Sequence, residues 1–187
     1  MKYPLSCILI LVVLFSCTSG DKKWLTWAKE ADTASERLEY LNRIDFPLEL
    51  EPADKALYGF LLTQTHTRLR ESNAEDSLIL YARDYYEKHP QEGYMPQVYE
   101  LSADYYDWNK MYPQKLEMLQ KGLNYSMEQK DSFLVSVFYT RTGIHHYTRR
   151  EYHQALDNYQ ASLRYHTFAN VYYMIGILME QTGPPIL

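Results

Sequence analysis

The chain has 187 residues, enough for one well-cored domain with a short tail. Apolar residues make up 46% and charged residues 23%, which is globular usage and excludes a disordered chain. The formal charge of −5 excludes a general attraction for nucleic acid or an anionic membrane surface. There are 19 Tyr but only 7 Gly, and the glycine shortage disfavours an architecture of many tight turns.

The chain opens "MKYPLSCILILVVLFSC". Lys2 supplies a positive start, and Leu5 to Phe15 is an apolar stretch of 11 residues. A bilayer span needs about 20, so the stretch reads as the core of a secretory signal. Its end, Leu14-Phe15-Ser16-Cys17, resembles the bacterial lipobox, in which a small residue precedes a cysteine that is acylated and becomes the new N-terminus. The resemblance implies a signal peptide over 1–16, then the lipidated Cys17 and a short tether over 17–23. It also implies a place in the cell envelope, anchored to a bacterial membrane at its periplasmic face. With Cys7 removed and Cys17 acylated, the mature chain would have neither free thiol nor disulfide, so core packing must hold the fold.

From Trp24 to Leu187 apolar positions recur at helical spacing, and no period-2 strand pattern persists. Helix-start chemistry punctuates the blocks at Asp32-Thr33, Pro52 with Asp54, Asp76-Ser77, Pro113 and Asp131-Ser132. This predicts an all-α domain of about eight helices of roughly 11 to 19 residues with short connections, hence antiparallel pairs. Residues 24–44 and 54–89, the latter with "ALYGFLLTQT" as its first helix, are the less regular pairs.

Over 139–162 the order Tyr139, Gly143, His146, Tyr152, Ala155, Tyr159, Ser162 alternates small and large residues at fixed intervals. Upstream, Tyr99, Ala103, Tyr106, Tyr112, Leu119 and Gly122 follow the same register, with Lys115 where a small residue is expected. Downstream, Tyr172, Ile175, Gly176, Met179 and Gly183 follow it again. The small residues Ala103, Gly143 and Gly176 are 40 and then 33 residues apart. This pattern resembles the tetratricopeptide repeat, with a period of about 34, clearest over 94–183. Small residues sit where helices approach closely, and aromatics fill the spaces between. The resemblance implies a right-handed superhelical solenoid of antiparallel helix pairs, whose first helices line a concave groove.

Four of the six histidines fall in "GIHHYTRREYHQALDNYQASLRYH". Adjacent His145 and His146 point about 100° apart on a helix and cannot share a metal. None of the six has another histidine three or four residues away, and His153 with Asp157 falls on a face expected to be solvated. No metal, no cofactor and no enzyme activity are expected: there is no phosphate loop, no G-x-S-x-G, and no cysteine left as a nucleophile. Arg149-Arg150 is an isolated basic pair at a turn, far from a nucleic-acid stripe.

The family's groove positions fall here on Gln97, Glu100, Asp104, Asp107 and Trp108, then Val137, Thr140, Ile144, Tyr147 and Thr148, then Tyr173, Ile177 and Glu180. That groove would be acidic at one end and apolar-aromatic at the other, suited to a peptide with a basic and a hydrophobic part. The C-terminal stretch offers a first helix, "FANVYYMIGILMEQTG", before "PPIL". Gly176, which should receive a following helix, and the apolar Ile175, Leu178 and Met179 lead to an expectation of self-association through this helix, or of a shortened relative of a longer repeat protein. By resemblance the chain is a non-enzymatic protein- or peptide-binding, scaffolding lipoprotein. A carbohydrate-binding lipoprotein, and a fragment of a repeat-containing sensor or regulator, are the alternatives.

Overall fold

A computed structural model describes residues 20–71 and 76–182; the signal sequence, Cys17, Gly183 and the "PPIL" ending lie outside them. Among the described residues the chain is all-helical, with no strand. A helix over 20–30, α1, is followed by α2 (Ala34–Leu41), α3 (Pro52–Leu69), α4 (Leu78–Tyr86), α5 (Met95–Trp108), α6 (Tyr112–Glu128), α7 (Ser132–Thr148), α8 (Tyr152–Leu163) and α9 (Ala169–Thr182). The described residues hold nine helices where about eight were expected, and α2 and α4, of 8 and 9 residues, are shorter than the expected 11 to 19. The helices gather into two compact units, one ending at Glu92 and the other beginning at Gly93.

The start signals work by different means. Thr33 accepts from Glu36 N–H at 3.2 Å and Asp131 from Leu134 N–H at 3.0 Å, each satisfying an orphan donor of the first turn. Pro52 and Pro113 open α3 and α6, where a missing N–H costs nothing. Asp76 does not cap α4. Its buried carboxylate holds His66 Nδ1 at 2.9 Å and so ties the end of α3 to the approach to α4.

Helix ends answer the glycine shortage. Arg70, Lys110, Lys130 and Arg150 have left-handed φ of 60°, 59°, 57° and 63°, just past α3, α5, α6 and α7. Each closes the same motif: Met111 N–H donates to Tyr106 C=O at 2.8 Å and Lys110 N–H to Asp107 C=O at 3.0 Å, and the other three ends repeat this pair. Glycine normally holds this position, and any other residue there is strained by roughly 1 kcal/mol. The four occupants are all basic, which suits the negative end of a helix dipole.

In the first unit α1 and α2 run antiparallel: Arg37 Nε donates to Ala28 C=O at 3.0 Å, and Arg43 lies over Trp24 at 4.7 Å. Arg37 also reaches Gln64 of α3 at 2.8 Å. α3 and α4 pack around Gly59, where an added Cβ would stand 2.6 Å from the Leu78 carbonyl oxygen. Leu25, Leu41, Ala56, Phe60 and Ile79 fill this core.

In the second unit each helix packs on the next. The α7–α8 pair is antiparallel, since Ser136 at the start of α7 meets Ser162 at the end of α8, while Tyr147 meets Tyr152 at the turn. Its closest approach is the one expected of a small residue against a large one. A Cβ on Gly143 would lie 2.7 Å from the Tyr159 ring, which is fully buried. Gly122 of α6 receives the Phe138 ring of α7 in the same way, leaving no room for a Cβ. Gly176 of α9 is different: a Cβ there meets nothing within 4 Å.

Candidate functional site

The α5 helix carries the carboxylates expected to make an acidic groove, and the structure pairs all three. Arg141 of α7 donates through Nη1 to Glu100 Oε1 at 2.8 Å and through Nη2 to Asp104 Oδ1. Lys115 of α6, buried along its stem, brings Nζ to Asp107 Oδ1 at 2.9 Å. The acidic end is therefore answered by cations from the same unit. Lys115 interrupts the small-residue pattern because it supplies one of those cations. Burial pushes the Asp104 carboxyl above its usual range despite Arg141 beside it.

Thr140 and Tyr147 are half-buried. Thr140 Oγ1 lies 2.7 Å from Ser162 Oγ, inside a buried network in which Ser136 and Ser162 also bond one another's backbone carbonyls. Tyr147 packs on the core formed by Ala155, Leu156 and Tyr159, its ring 6.0 Å from Tyr152. Gln97 of α5 is exposed, and Ile144 and Tyr173 are exposed at 44% and 70%. Val137 and Ile177 are half-buried and Glu180 is exposed.

A concavity of about 660 Å³ opens where α5 and α7 end, lined by Asp107, Trp108, Lys110, Tyr112, Thr148 and Arg149. It unites Asp107, Trp108 and Thr148 of the expected groove residues with three others. Trp108 is 54% exposed at its wall, and the Arg149 guanidinium lies 4.9 Å over the Tyr112 ring. Lys110 is exposed, held there by its left-handed turn. The missed signal was the basic residue two positions past Trp108 and the basic pair ending α7; each looks isolated until α5 and α7 end side by side.

The histidines serve packing and helix ends. His146 Nδ1 lies 2.6 Å from Glu151 Oε2 while Glu151 Oε1 accepts from Arg149 Nε at 3.0 Å, and these bonds lower the Glu151 carboxyl. His145 is 2% exposed against Tyr112, and burial, with Lys115, His146 and Arg149 nearby, pushes its imidazole below the usual value. His89 Nδ1 donates to Tyr85 C=O at 2.8 Å, and His166 lies exposed against Phe133 and Phe168. His153 and Asp157 are exposed on α8. Among the described residues no group of three His, Cys, Asp or Glu could hold a metal ion, and no helix is long and apolar enough to cross a membrane.

Comparison with protein-family models, with curated proteins and with solved structures finds no match.

Proposed function

We propose that this chain is a lipid-anchored, tetratricopeptide-like binding module of the bacterial envelope, non-enzymatic, with its helix pairs continuing as a right-handed superhelix. The observation that carries the binding role is the 660 Å³ concavity at the ends of α5 and α7, walled by the exposed Trp108. A small residue set against an aromatic at both Gly122 and Gly143 supports the repeat reading.

The charges change the kind of segment that fits. Glu100, Asp104 and Asp107 are answered by Arg141 and Lys115, and Arg149 is held by Glu151 at 3.0 Å, whereas Lys110 is exposed at the rim. The ligand is thus an acidic peptide segment with an aromatic or apolar side chain to lie on Trp108, rather than a basic one. Fluorescence anisotropy with labelled peptides of matched length tests this. Acidic-aromatic peptides bind the full chain, binding weakens in Lys110→Glu and Trp108→Ala, and a preference for basic peptides overturns the reading.

A carbohydrate ligand is the second reading. Trp108 offers a flat apolar face, with Asp107, Thr148 and Arg149 as hydrogen-bonding neighbours. A neutral glycan would lose binding in Trp108→Ala but keep it in Lys110→Glu.

A further inference from the structure

One end of the first unit is crowded with aromatic and basic side chains. Trp24 and Trp27 of α1 meet edge to face with centroids 5.0 Å apart, and Tyr40 of α2 stacks on Trp24 at 6.2 Å. Lys23 Nζ lies 4.3 Å over the Trp27 ring, and Trp27 is still 39% exposed. The connection from α2 to α3 returns toward the start of α1, where Lys22 Nζ lies 3.5 Å from Asp54 Oδ2 in the first turn of α3. Immediately beyond Asp45, Phe46 and Leu48 are 52% and 65% exposed. Two large apolar side chains held outward on a short turn add little to the core of their own unit.

The local charge does not select an anionic partner. Lys22 pairs with Asp54 at 3.5 Å and Arg43 with Glu39 at 2.6 Å. What remains is the exposed Phe46 and Leu48 on the turn, together with Trp and Tyr rings that carry Lys23 and Arg43 along them. This is the composition that settles at a membrane–water boundary, rings at headgroup level and ammonium groups reaching water. The chain itself indicates what lies opposite. Cys17 is three residues before Gly20, at most about 10 Å of extended chain, and α1 begins at this same end of the unit.

We propose that this end of the first unit docks on the bilayer interface, with Phe46 and Leu48 entering the headgroup–acyl boundary and Trp24, Trp27 and Tyr40 resting at headgroup level. The surface holds the domain in one orientation instead of leaving it free on its tether. The proposal rests on the reading of Cys17 as the lipid attachment point. Because insertion is apolar, it needs no anionic lipid.

The test uses the full chain carrying Trp108→Phe, purified in detergent and reconstituted into phosphatidylcholine vesicles with or without brominated acyl chains. Emission then comes from Trp24 and Trp27 alone. Brominated lipid should quench it roughly twofold or more, and Phe46→Ser with Leu48→Ser should abolish most of that quenching and restore access to acrylamide. Both positions are exposed, so the circular dichroism of the variant should match the parent. Equal quenching in parent and variant, or none in the parent, overturns the docking surface. The mass of the peptide containing Cys17 separates the two readings. Acylated Cys17 with unquenched tryptophans sinks the surface alone; unmodified Cys17 with quenching that depends on Phe46 and Leu48 sinks the lipid reading alone.

Discussion

Arg141 Nη1 lies 2.8 Å from Glu100 Oε1, and the same guanidinium reaches Asp104, so one cation of α7 answers two carboxylates of α5. Arg141→Met should therefore strand two partly buried acids and cost about 1.5–3 kcal/mol, the usual loss of charge-assisted hydrogen bonds. Urea unfolding checks the value. In a double-mutant cycle, Asp104→Asn should make the arginine substitution cheaper; strict additivity of the two would mean that the pair is not coupled.

Gly143 and Gly176 share a place in the repeat pattern and should respond oppositely to alanine. At Gly143 the new methyl would sit 2.7 Å from the buried Tyr159 ring, and overpacking of this kind costs about 1–3 kcal/mol. At Gly176 nothing lies within 4 Å, so Gly176→Ala should stabilise by up to about 1 kcal/mol through helix propensity. Thermal midpoints of the two variants would decide it, and a stable Gly143→Ala would refute the close approach.

The four basic residues with left-handed φ lead to a gain-of-stability test. Lys110→Gly and Arg150→Gly remove the strain of a side chain at φ near 60° and keep the backbone bonds. Each should stabilise by roughly 0.5–1 kcal/mol, less the few tenths supplied by a cation at a helix end. If Lys110→Gly also weakens binding of the acidic peptide, the lysine is kept at that turn for the concavity at the expense of helix-end strain.

Stability should depend on pH through His145. Its folded value is pushed below the ordinary 6.5 by burial and by neighbouring Lys115, His146 and Arg149. Between that lowered value and 6.5 the unfolded chain binds more protons than the folded one. Stability is then fully present above pH 6.5 and is lost as the pH falls toward the folded value. Asp104, raised by burial, acts in the opposite sense at lower pH, since protonation there relieves a desolvated charge. Urea midpoints measured from pH 7.5 down to pH 5 should decline in the parent chain, with a shallower slope in His145→Leu. An unchanged slope would show that His145 does not carry the decline.

Much of the helical layout was legible because its signals are local. Helical apolar spacing from Trp24 onward, the caps at Thr33 and Asp131, and prolines at 52 and 113 act within a turn or two of the chain. The packing of Gly143 on Tyr159 was legible for a related reason: a small and a large residue at a fixed interval across one short turn meet whenever the two helices fold back on each other. Asp76 shows the limit. It looks like a cap, but burial gave its carboxylate to His66, a partner ten residues earlier.

By itself, then, the sequence determined an all-α chain, the helix pairs and their small-against-large contacts, since these depend on periodicity and near neighbours. Only the tertiary structure decided the character of the candidate site. Arg141 and Lys115 neutralise the α5 carboxylates, Thr140 turns inward to Ser162, and Lys110 and Arg149 come to flank Trp108. These outcomes depend on which side chains different helices bring within about 3 Å of one another, a separation at which a charge is either answered or left exposed. Residue order fixes no such distance until the helices are packed.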